Sequence, residues 1–313
     1  MKRFLLAALA AAFMIPCPAP AVEYPTQPVT IIAGFNAGGT SDIVLRAMAP
    51  ELEKELGQPV LIVNKGGNGG ALAIGDLLTK KSDGYTVGLV SNAAFTLDTQ
   101  LRKARYSMDD FTFLGSAGLT QQGFYSLPDK PWKDFKSLVE YAKQSGKELT
   151  FCSPDIMPKI LLDVVSAKEG IKFRYVPTKS GGEAATNVLG GHTDFAYGGG
   201  IQTPYVLAGK MINLASSTRT PFVKFPDCPT LLSLGYPNTA FDTHYVFFVK
   251  KDTPAEICEK LSAAFAKVAN LESIQDAILN KANLSPHILK AEEIMPFLKA
   301  QYDEYTELFS KNK

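Results

Sequence analysis

The sequence predicts an α/β protein made of two similar halves. In the first half, short β-branched apolar runs alternate with amphipathic helical stripes, which is the pattern of β-α-β units around a parallel sheet. Predicted strands end in loops rich in glycine, serine or threonine, and the second half repeats this arrangement. The chain has 313 residues, a length that suits about two domains.

The beginning of the chain has the pattern of an export signal. Two basic residues precede an apolar run over 4–15, which is too short to span a bilayer, and Ala19-Pro20-Ala21 forms an A-x-A cleavage signal. We therefore expect 1–21 to be removed and the mature chain to be periplasmic. A lipid anchor on Cys17 is an alternative, although the residues before it are not the small ones that such a site prefers.

Charge and composition exclude several classes of protein. Cleavage would remove Lys2 and Arg3 but no acidic residue, so the net charge would change from +1 to −1. Such a balance argues against binding to nucleic acid or to a membrane surface. The remaining cysteines and the histidines lack metal-ligand spacing, so we expect no metal and no cofactor. These residues are Cys152, Cys228, Cys258, His192, His244 and His287.

The first strand and its loop form a candidate anion site. Val29–Ala33 is a continuous apolar run, residues 34–39 are a glycine turn, and Thr40, Ser41 and Asp42 are candidate N-caps of a helix. A helix N-terminus offers unpaired N–H groups and a favourable dipole to an anion. The glycines fit neither G-x-G-x-x-G nor G-K-[ST], so a small carboxylate is expected in preference to a phosphate. Alternatively, the glycines only turn the chain.

The rest of the first half continues the alternation. Leu45, Met48, Leu52 and Leu56 make a helical stripe, and Gly57 ends that helix. Further elements are a buried strand over 60–63, a glycine-rich loop over 64–70, a helix around 74–78, a strand over 85–90 and a polar loop over 91–96. Ligands bind at the carboxyl ends of parallel strands, where the loops at 34–42 and 91–96 both fall.

The second half and the C-terminal stretch follow similar rules. The sequence predicts helices over 132–143 and 159–168 and strands over 149–152, 173–176 and 195–197, with Gly190-Gly191 closing a further helix. Thr253-Pro254-Ala255-Glu256 has a capping-box pattern with proline at N1. A strand over 245–249 is expected to return to the first sheet, and a last amphipathic helix carries Leu298, Tyr302, Tyr305 and Phe309.

A set of motifs, in order and with specific spacing, carries a family resemblance. They are Tyr24-Pro25-Thr26-Gln27-Pro28-Val29, Gly38-Gly39-Thr40-Ser41-Asp42, Leu56-Gly57-Gln58-Pro59-Val60, Asn64-Lys65-Gly66-Gly67-Asn68-Gly69-Gly70, Asp83-Gly84-Tyr85-Thr86, Val176-Pro177-Thr178-Lys179-Ser180-Gly181-Gly182, Leu189-Gly190-Gly191-His192-Thr193-Asp194 and Pro226-Asp227-Cys228-Pro229-Thr230. With these, essentially the whole mature chain resembles the solute-binding proteins of tripartite tricarboxylate transporters, the Bug family.

The resemblance implies a fold, a function and partners. The fold is a two-lobed periplasmic-binding-protein-like one, in which each lobe is a mostly parallel sheet flanked by helices and the ligand lies in the interlobe cleft. Lobe 1 would comprise 22–118 and 236–313, and lobe 2 would comprise 119–235. The function is capture of a small organic carboxylate, which could be aromatic or a dicarboxylate, for membrane permease subunits. We expect no catalysis and a monomeric protein. Presentation of the ligand to a sensor is the alternative.

The resemblance also implies ligand residues in both lobes. In lobe 1 they are Phe35, Ala37, Gly38, Gly39, Thr40, Asp42, Ser91, Asn92 and Thr96. In lobe 2 they are Cys152, Ser153, Lys179, Ser180, Gly181, Gly182, Tyr197, Gly198, Gly199 and Gly200. Each hydroxyl has a turn or a helix cap as its alternative role, and Asp42 is expected to orient the first loop instead of touching the anion.

Departures from the family pattern leave the ligand open. Cys152-Ser153-Pro154-Asp155 replaces a run richer in glycine and serine, and Gly198-Gly199-Gly200 replaces a loop that often carries aspartate. No arginine lies in the strand-end loops, so backbone N–H groups and hydroxyls would have to hold the acid. Phe35, Phe95, Phe151, Tyr175 and Tyr197 lie at or beside these loops. They favour a ligand with an apolar or aromatic body, or else they belong to the core.

An enzyme is the rival class. Cys152 and His244 could serve as nucleophile and base, but no motif brings them together or supplies a group that orients the base. An NAD-dependent enzyme would need the glycine fingerprint that the first loop lacks. The sequence therefore favours a binding protein, with hinges expected near 115–123 and 232–242.

Overall fold

Eleven strands and eleven α-helices are described in residues 23–311 of the computed structural model. The predicted signal segment, its cleavage site and Cys17 lie outside these residues. The strands are β1 (Val29–Ala33), β2 (Val60–Asn64), β3 (Thr86–Ser91), β4 (Phe111–Thr120), β5 (Gly123–Ser126), β6 (Leu149–Ser153), β7 (Phe173–Pro177), β8 (Phe195–Gly198), β9 (Ile212–Ser216), β10 (His244–Lys250) and β11 (Leu284–Ser285).

The helices connect these strands and cover their faces. They are α1 (Thr40–Leu56), α2 (Ala71–Leu78), α3 (Ala93–Thr96), α4 (Asp98–Leu101), α5 (Phe135–Ser145), α6 (Met157–Glu169), α7 (Gly181–Leu189), α8 (Thr203–Leu207), α9 (Ala255–Ala269), α10 (Glu272–Asp276) and α11 (Ala291–Lys311). The short 3₁₀ turns Asn68–Gly70 and Met108–Asp110 and the π turn Ala277–Lys281 complete the regular structure of this part of the chain.

The first sheet has six strands in the order β11-β4-β10-β3-β1-β2. β1, β2 and β3 pair in parallel, as the β-α-β pattern predicts, and β10 joins antiparallel to β3. The strand predicted as fully buried over 60–63 is the edge strand β2, in which Leu61 and Val63 are 50% and 45% exposed. That prediction was wrong because an apolar run alone cannot distinguish a central strand from an edge strand.

The second sheet has five strands in the order β7-β6-β8-β5-β9. β6, β7 and β8 pair in parallel, whereas β5 pairs antiparallel with both β8 and β9. Both sheets are therefore mixed, with three parallel strands each and antiparallel strands beside them. The predicted α/β architecture of two helix-flanked sheets is confirmed.

The strand register joins the two sheets at the carboxyl edges of their parallel strands. β10 begins beside the end of β3, since the Asn92 N–H donates to the His244 carbonyl 2.9 Å away, and β4 ends opposite His244. On the other side, Gly123 at the start of β5 pairs with Gly198 at the end of β8 and with Ser216 at the end of β9. The connections at 121–122 and 217–243 therefore join the carboxyl edge of one parallel array to that of the other.

Each sheet has a hydrophobic layer on both of its faces. Alternate residues of one strand enter different layers, as Ile31 packs with α1 and α9 while Ile32 packs with α2 and α11. In the second sheet, Phe151 packs with α5 and α6, and its neighbour Cys152 packs with α7. Because successive side chains point to opposite faces of the sheet, the position of a residue in its strand determines which core layer its side chain enters.

The C-terminal helix α11 packs against both sheets. Its first part contributes Ile294 and Leu298 to the core of the first sheet. Its last turns place Tyr305 and Leu308 in the core cluster of the second sheet, and the Tyr305 ring lies 6.0 Å from that of Phe241. The lobe boundaries at 118 and 236 stay a prediction. They assign the whole of α11 to lobe 1, although its last turns pack on the second sheet.

Two predicted helix starts in the later part of the chain, those of α5 and α9, differ from the structure. The capping box at Thr253 is absent, because Pro254 occupies the N-cap of α9 and the buried Thr253 hydroxyl has no hydrogen-bond partner among the described residues. The helix predicted from 132 begins at Phe135, where the Asp134 carboxylate accepts the Ser137 N–H at 2.7 Å. A residue that could cap a helix often has other possible N-cap residues within a few positions, so the sequence alone does not fix where the helix begins.

Candidate functional site

The loop between β1 and α1 is shaped by one buried carboxylate. Asp42, 3% exposed, accepts the Gly38 N–H at 2.9 Å, the Arg46 Nε–H at 2.8 Å and an Asn64 amide N–H at 3.0 Å. The hydrogen bond from Arg46 is the main reason that the pKa of this carboxyl is lowered. Gly38 adopts φ +78°, a conformation that favours glycine. Asp42 therefore holds the loop in place with its charge already paired.

Above Asp42, the first turn of α1 presents unpaired donors. Gly39 occupies the N-cap with extended backbone, and no side chain caps the helix. The prediction that Thr40, Ser41 or Asp42 caps α1 was therefore wrong, because all three already lie in the first turn of the helix. Within residues 23–311, the backbone N–H groups of Thr40, Ser41 and Asp42 have no acceptor. These N–H groups, together with the helix dipole, make the first turn of α1 a candidate anion site.

An aromatic wall borders this first turn. The Phe35 ring meets the Tyr245 ring edge-on, with the centroids 5.0 Å apart. Burial raises the pKa of Tyr245 to about 12, and its interaction with the Thr40 side chain opposes that shift. Tyr245 was not among the predicted ligand residues, although the predicted return of this strand to the first sheet placed its first residues near the loop.

The predicted ligand residues after β3 serve a different purpose. The Asn92 amide group donates to Gln301 and to the Asp242 carbonyl, and its oxygen accepts the His244 N–H at 2.6 Å. The Thr96 hydroxyl lies 2.9 Å from the same Gln301 oxygen. Both side chains are fully buried. Asn92 and Thr96 thus join α3 to α11, and their polar atoms are not directed to a ligand.

Ser91 comes nearer to the expected position. It is the last residue of β3 and is partly exposed. Its hydroxyl accepts the Ala93 N–H at 3.1 Å, which is the turn role considered as the alternative. A ligand contact of Ser91 stays a prediction.

In the second sheet, the end of β6 combines a buried thiol with a rigid turn. Cys152 is fully buried, and its Sγ lies 3.3 Å from the Thr193 hydroxyl in the cluster under α7. A ligand contact of Cys152 is not supported, because alternation along the strand points the thiol into the core. The Ser153 hydroxyl accepts the Asp155 N–H at 3.1 Å and forms the turn instead of facing outward.

The loop after β7 keeps its predicted exposed groups. Ser180 caps α7 by accepting the Glu183 N–H at 3.2 Å, and the Lys179 N–H donates to the Glu183 carboxylate at 2.7 Å. Gly181 and Gly182 follow with N–H groups that have no acceptor in the described part of the chain. The Lys179 side chain is exposed. This loop is a second helix N-terminus at the carboxyl edge of its sheet.

The loop after β8 belongs to the connection between the lobes. The Tyr197 hydroxyl lies 2.6 Å from Oε1 of Gln122 and 2.7 Å from the Ser217 hydroxyl, so it links the two connections. Gly200 has φ +107°, and a Cβ there would lie 2.9 Å from the Asn283 carbonyl oxygen. Tyr197 therefore ties the connection at 121–122 to the one at 217–243, and Gly200 allows close approach of Asn283.

Most of the aromatic residues proposed as pocket lining lie elsewhere. Phe95 is fully buried among Phe111, Phe113 and Phe248, and Phe151 is 1% exposed in the second core. The Tyr175 hydroxyl donates within the turn at 153–155. Phe35 is the one of the five that lies beside the anion site.

The match to a family decides the class of this protein. The model of the tripartite tricarboxylate transporter family receptor matches residues 44–312. The chain belongs to this family. The resemblance inferred from the motifs is thereby confirmed. Receptors of this family bind small carboxylates and work with transporter permeases, and none of the helices within 23–311 is long and apolar enough to cross a membrane.

Individual relatives agree with the family match. A UPF0065 protein from the TAR-I ttuE-ttuC' intergenic region of Agrobacterium vitis is 31% identical over 273 residues, covering 84% of this chain and 78% of the relative. The structure of a TctC solute-binding protein from Polaromonas, without ligand, superposes with a TM-score of 0.77 at 27% identity and covers 92% of this chain and 99% of that one. A protein from R. palustris with adipate shares the fold at 20% identity, with a TM-score of 0.76 and coverage of 91% and 97%.

Proposed function

We propose that this receptor acts in the periplasm, where it captures a small organic carboxylate in the cleft between its two sheets and delivers it to permease subunits. The observation that carries the proposal is the first turn of α1, with its three unpaired N–H groups above a carboxylate that Arg46 already neutralises. An anion there meets donors and a favourable dipole without a competing negative charge. The adipate in the R. palustris protein supports the same class of ligand.

The affinity does not require an arginine. A hydrogen bond to a charged group contributes roughly 1.5–3 kcal/mol, and micromolar binding corresponds to about 8 kcal/mol. Three or four such bonds from the first turn of α1 and from the loops of the second sheet are therefore sufficient. Lys179, in the loop between β7 and α7, would attract the carboxylate at long range but would not make the main contact with it.

Two substitutions distinguish this backbone site from a salt bridge. Gly39 has φ −79°, which valine tolerates, and its Cβ would meet only the Asn36 carbonyl oxygen at 3.3 Å. We expect Gly39→Val to obstruct the approach to the free N–H groups and to weaken carboxylate binding at least tenfold in calorimetry. We expect Lys179→Ala to change affinity less than threefold.

The matched control is Gly75→Val, at an exposed helix position where an added Cβ meets nothing within 4 Å. It should bind like the unmodified protein. Normal affinity in Gly39→Val together with loss of binding in Lys179→Ala would show that a salt bridge holds the acid and that the backbone site is wrong.

The proposal includes binding without turnover. Cys152 lies in the core cluster of the second sheet, whereas His244 belongs to β10 of the first sheet, so the two do not form a catalytic pair. Purified protein incubated with a bound acid should return the acid unchanged by NMR. Formation of a product would refute this part of the proposal.

The partner is inferred from the family. We propose that a monomer presents its ligand-bound form to the permease, and a sensor protein is the other candidate. Pull-down from membranes with the ligand-saturated protein should recover permease subunits, whereas recovery of a sensor kinase alone would favour the signalling role. Light scattering tests the oligomeric state.

A further inference from the structure

We infer that the protein has a second ligand site, in a cavity beside α11, that takes an uncharged aromatic alcohol. The cavity has a volume of about 730 Å³, within the range of roughly 300–1,000 Å³ that is usual for small-molecule sites. It lies between residues 219–223 of the connection at 217–243 and a wall made by the end of β4, the start of β10, β11 and α11. The inference is independent of the proposed function, because the residues that line this cavity are not those of the candidate carboxylate site.

The cavity and the aromatic wall of the carboxylate site lie on opposite faces of the first sheet. Tyr245 of β10 belongs to that wall, where its ring meets the Phe35 ring. The preceding residue, His244, lines the cavity, and the centroid of its ring lies 5.3 Å from that of Phe297 in α11. Since successive side chains of a strand point to opposite faces, a molecule in the cavity leaves the carboxylate site free.

Three uncharged polar side chains of the cavity lack a hydrogen-bond partner. His244 is 2% exposed, and its Nδ1 has no partner among the described residues. The hydroxyl groups of Ser285, which is buried, and of Thr220, which lies at the exposed rim, also form no hydrogen bond within residues 23–311. A buried polar atom without a partner is unusual in a folded protein, and a ligand with a polar group would supply the missing partner.

The charged side chains of the cavity are already paired with one another. Arg219 donates to both carboxylate oxygens of Glu304 at 2.6 and 2.7 Å and to the Asp242 carboxylate at 2.5 Å. One guanidinium and two carboxylates leave one net negative charge. Burial lowers the pKa of His244 to about 3, so its imidazole is neutral at pH 7. A carboxylate ligand would meet this negative charge and no unpaired arginine or lysine of the lining, so the cavity favours an uncharged molecule.

The rest of the lining selects an aromatic body. The apolar residues are Leu119, Pro221, Val223, Leu289, Phe297 and Ala300. The rings of Phe297, His244 and His287 lie together and offer edge and face contacts to another ring. A hydroxyl group both donates and accepts, so it pairs with Nδ1 of His244 whichever ring nitrogen carries the proton. An aromatic molecule with a hydroxyl group therefore matches both the apolar and the polar parts of the cavity.

Calorimetry with 2-naphthol, 2-methoxynaphthalene and 2-naphthoate tests the inference. The three probes share one ring system, but the second lacks the O–H donor and the third is charged. We expect one molecule of 2-naphthol to bind per chain, at least fivefold more tightly than 2-methoxynaphthalene. Ala300→Trp fills part of the cavity and should weaken 2-naphthol binding at least tenfold, without affecting any binding of 2-naphthoate. His244→Phe keeps a ring but removes Nδ1, so it should abolish the preference for 2-naphthol over 2-methoxynaphthalene.

The matched control is Ala263→Trp, the same substitution at an exposed position of α9, which does not line the cavity. It should bind 2-naphthol like the unmodified protein, and unchanged melting temperatures should show that the variants fold. Gly39→Val, which obstructs the carboxylate site, should also leave 2-naphthol binding unchanged. The inference would be overturned by absence of 2-naphthol binding, by equal binding of 2-methoxynaphthalene, by binding that Ala300→Trp leaves intact, or by its loss in Gly39→Val. None of these results would decide whether the first turn of α1 holds a carboxylate.

Discussion

At the scale of single residues, the direction of a side chain matters more than its type. Asp42 was expected to orient the first loop. Its carboxylate accepts hydrogen bonds from Gly38 in that loop and from Arg46, as this role requires. Asp155 is exposed in the turn between β6 and α6. The two carboxylates differ because Asp42 has a cation within 3 Å, whereas no cation among residues 23–311 forms an ion pair with Asp155.

We predict that Asp42→Asn destabilises the protein and flattens its response to acid. The substitution removes the charge that accepts hydrogen bonds from Arg46 and Gly38, so the free energy of unfolding should fall by about 1–3 kcal/mol at pH 7. Because the pKa of Asp42 is lowered in the folded state, its stabilisation is present above the ordinary carboxyl pKa of about 4 and is lost as pH falls through the folded value. Urea unfolding at pH 7 and pH 3 measures both effects.

In Asp42→Asn, the difference from the unmodified protein should therefore shrink at the lower pH. Glu51→Gln, which removes a partly exposed carboxylate paired with Lys54 on the surface of α1, is the control and should change stability only slightly. An equal loss of stability at both pH values would contradict the electrostatic account of Asp42.

A second prediction concerns His244. Burial lowers the pKa of this histidine to about 3, the neighbouring His287 adds to that shift, and Nδ1 has no partner among the described residues. The unfolded chain takes up a proton near pH 6.5 but the folded protein does not, so stability should be greatest above pH 6.5 and decline as pH falls towards about 3. His244→Gln should remove much of this decline in denaturant titrations between pH 7 and pH 4.

The other groups around His244 set the control for that experiment. His287 lies with its ring 5.5 Å away, and Asp242, Glu304 and Arg219 line the same cavity. The exposed His192 offers a comparison, since His192→Gln should leave the pH profile unchanged. An unaltered profile in His244→Gln would show that other groups cause the acid sensitivity.

Sequence reasoning located the strand-end loops, but it could not decide which of their side chains face away from the core. Gly38, Gly39 and Thr40 lie where the strand-turn-helix pattern places them. Cys152 and Tyr197 do not face outward, because whether a strand-end residue points to the core or to the cleft depends on register and crossing geometry. No local sequence pattern shows whether such a side chain faces the core. The sequence could therefore identify these positions as candidates but could not predict the direction of their side chains.

At the scale of elements, local signals located helix ends better than helix starts. Gly57 adopts φ +71° at the end of α1 as predicted, whereas the capping box predicted at Thr253 is absent. Few residues other than glycine adopt the left-handed conformation that ends a helix, so a glycine marks a helix end clearly. Many polar residues can cap a helix start, and several often lie close together in the sequence. Long-range elements such as α11 depend on partners that lie 200 residues away in the sequence, and these could not be predicted.

We predict that the contacts of α11 are worth several kilocalories per mole. Gln301→Leu would leave the buried Asn92 amide without its 2.5 Å partner and remove the hydrogen bonds to Thr96 and to the Asp242 carbonyl. Leaving a buried polar group unsatisfied costs about 1–3 kcal/mol, so a total loss of roughly 2–4 kcal/mol is expected in chemical unfolding. Gln144→Leu, on the exposed face of α5, is the matched control and should change stability by less than 0.5 kcal/mol. Equal effects of the two substitutions would refute this role of Gln301.

At the scale of the whole molecule, the β-α-β order predicted the parallel part of each sheet. The antiparallel strands β4, β5, β9 and β10 are the ones that carry the chain between the lobes. Their pairing brings the carboxyl edges together, and this topology is consistent with the proposed ligand site between the sheets. The sequence indicated two similar halves, but the mixed character of the sheets required the pairing of strands that are more than 100 residues apart.

The last prediction is closure of the two lobes around the connections at 121–122 and 217–243, which overlap the hinges expected near 115–123 and 232–242. These connections run side by side, with the Ser217 N–H donating to the Gln122 carbonyl at 2.9 Å and the Thr120 N–H donating to the Thr243 carbonyl at 2.8 Å. Because both connections lie at one end of the facing edges, a small change in their backbone angles would open or close the whole cleft. A ligand held by the first turn of α1 and by the loops of the second sheet favours the closed form, since only there does it touch both. Small-angle scattering should show a smaller radius of gyration at saturation with a bound acid, and no change for Gly39→Val at the same concentration. An unchanged radius in the saturated wild-type protein would mean that the cleft is rigid and that α11, which packs against both lobes, holds it in one state.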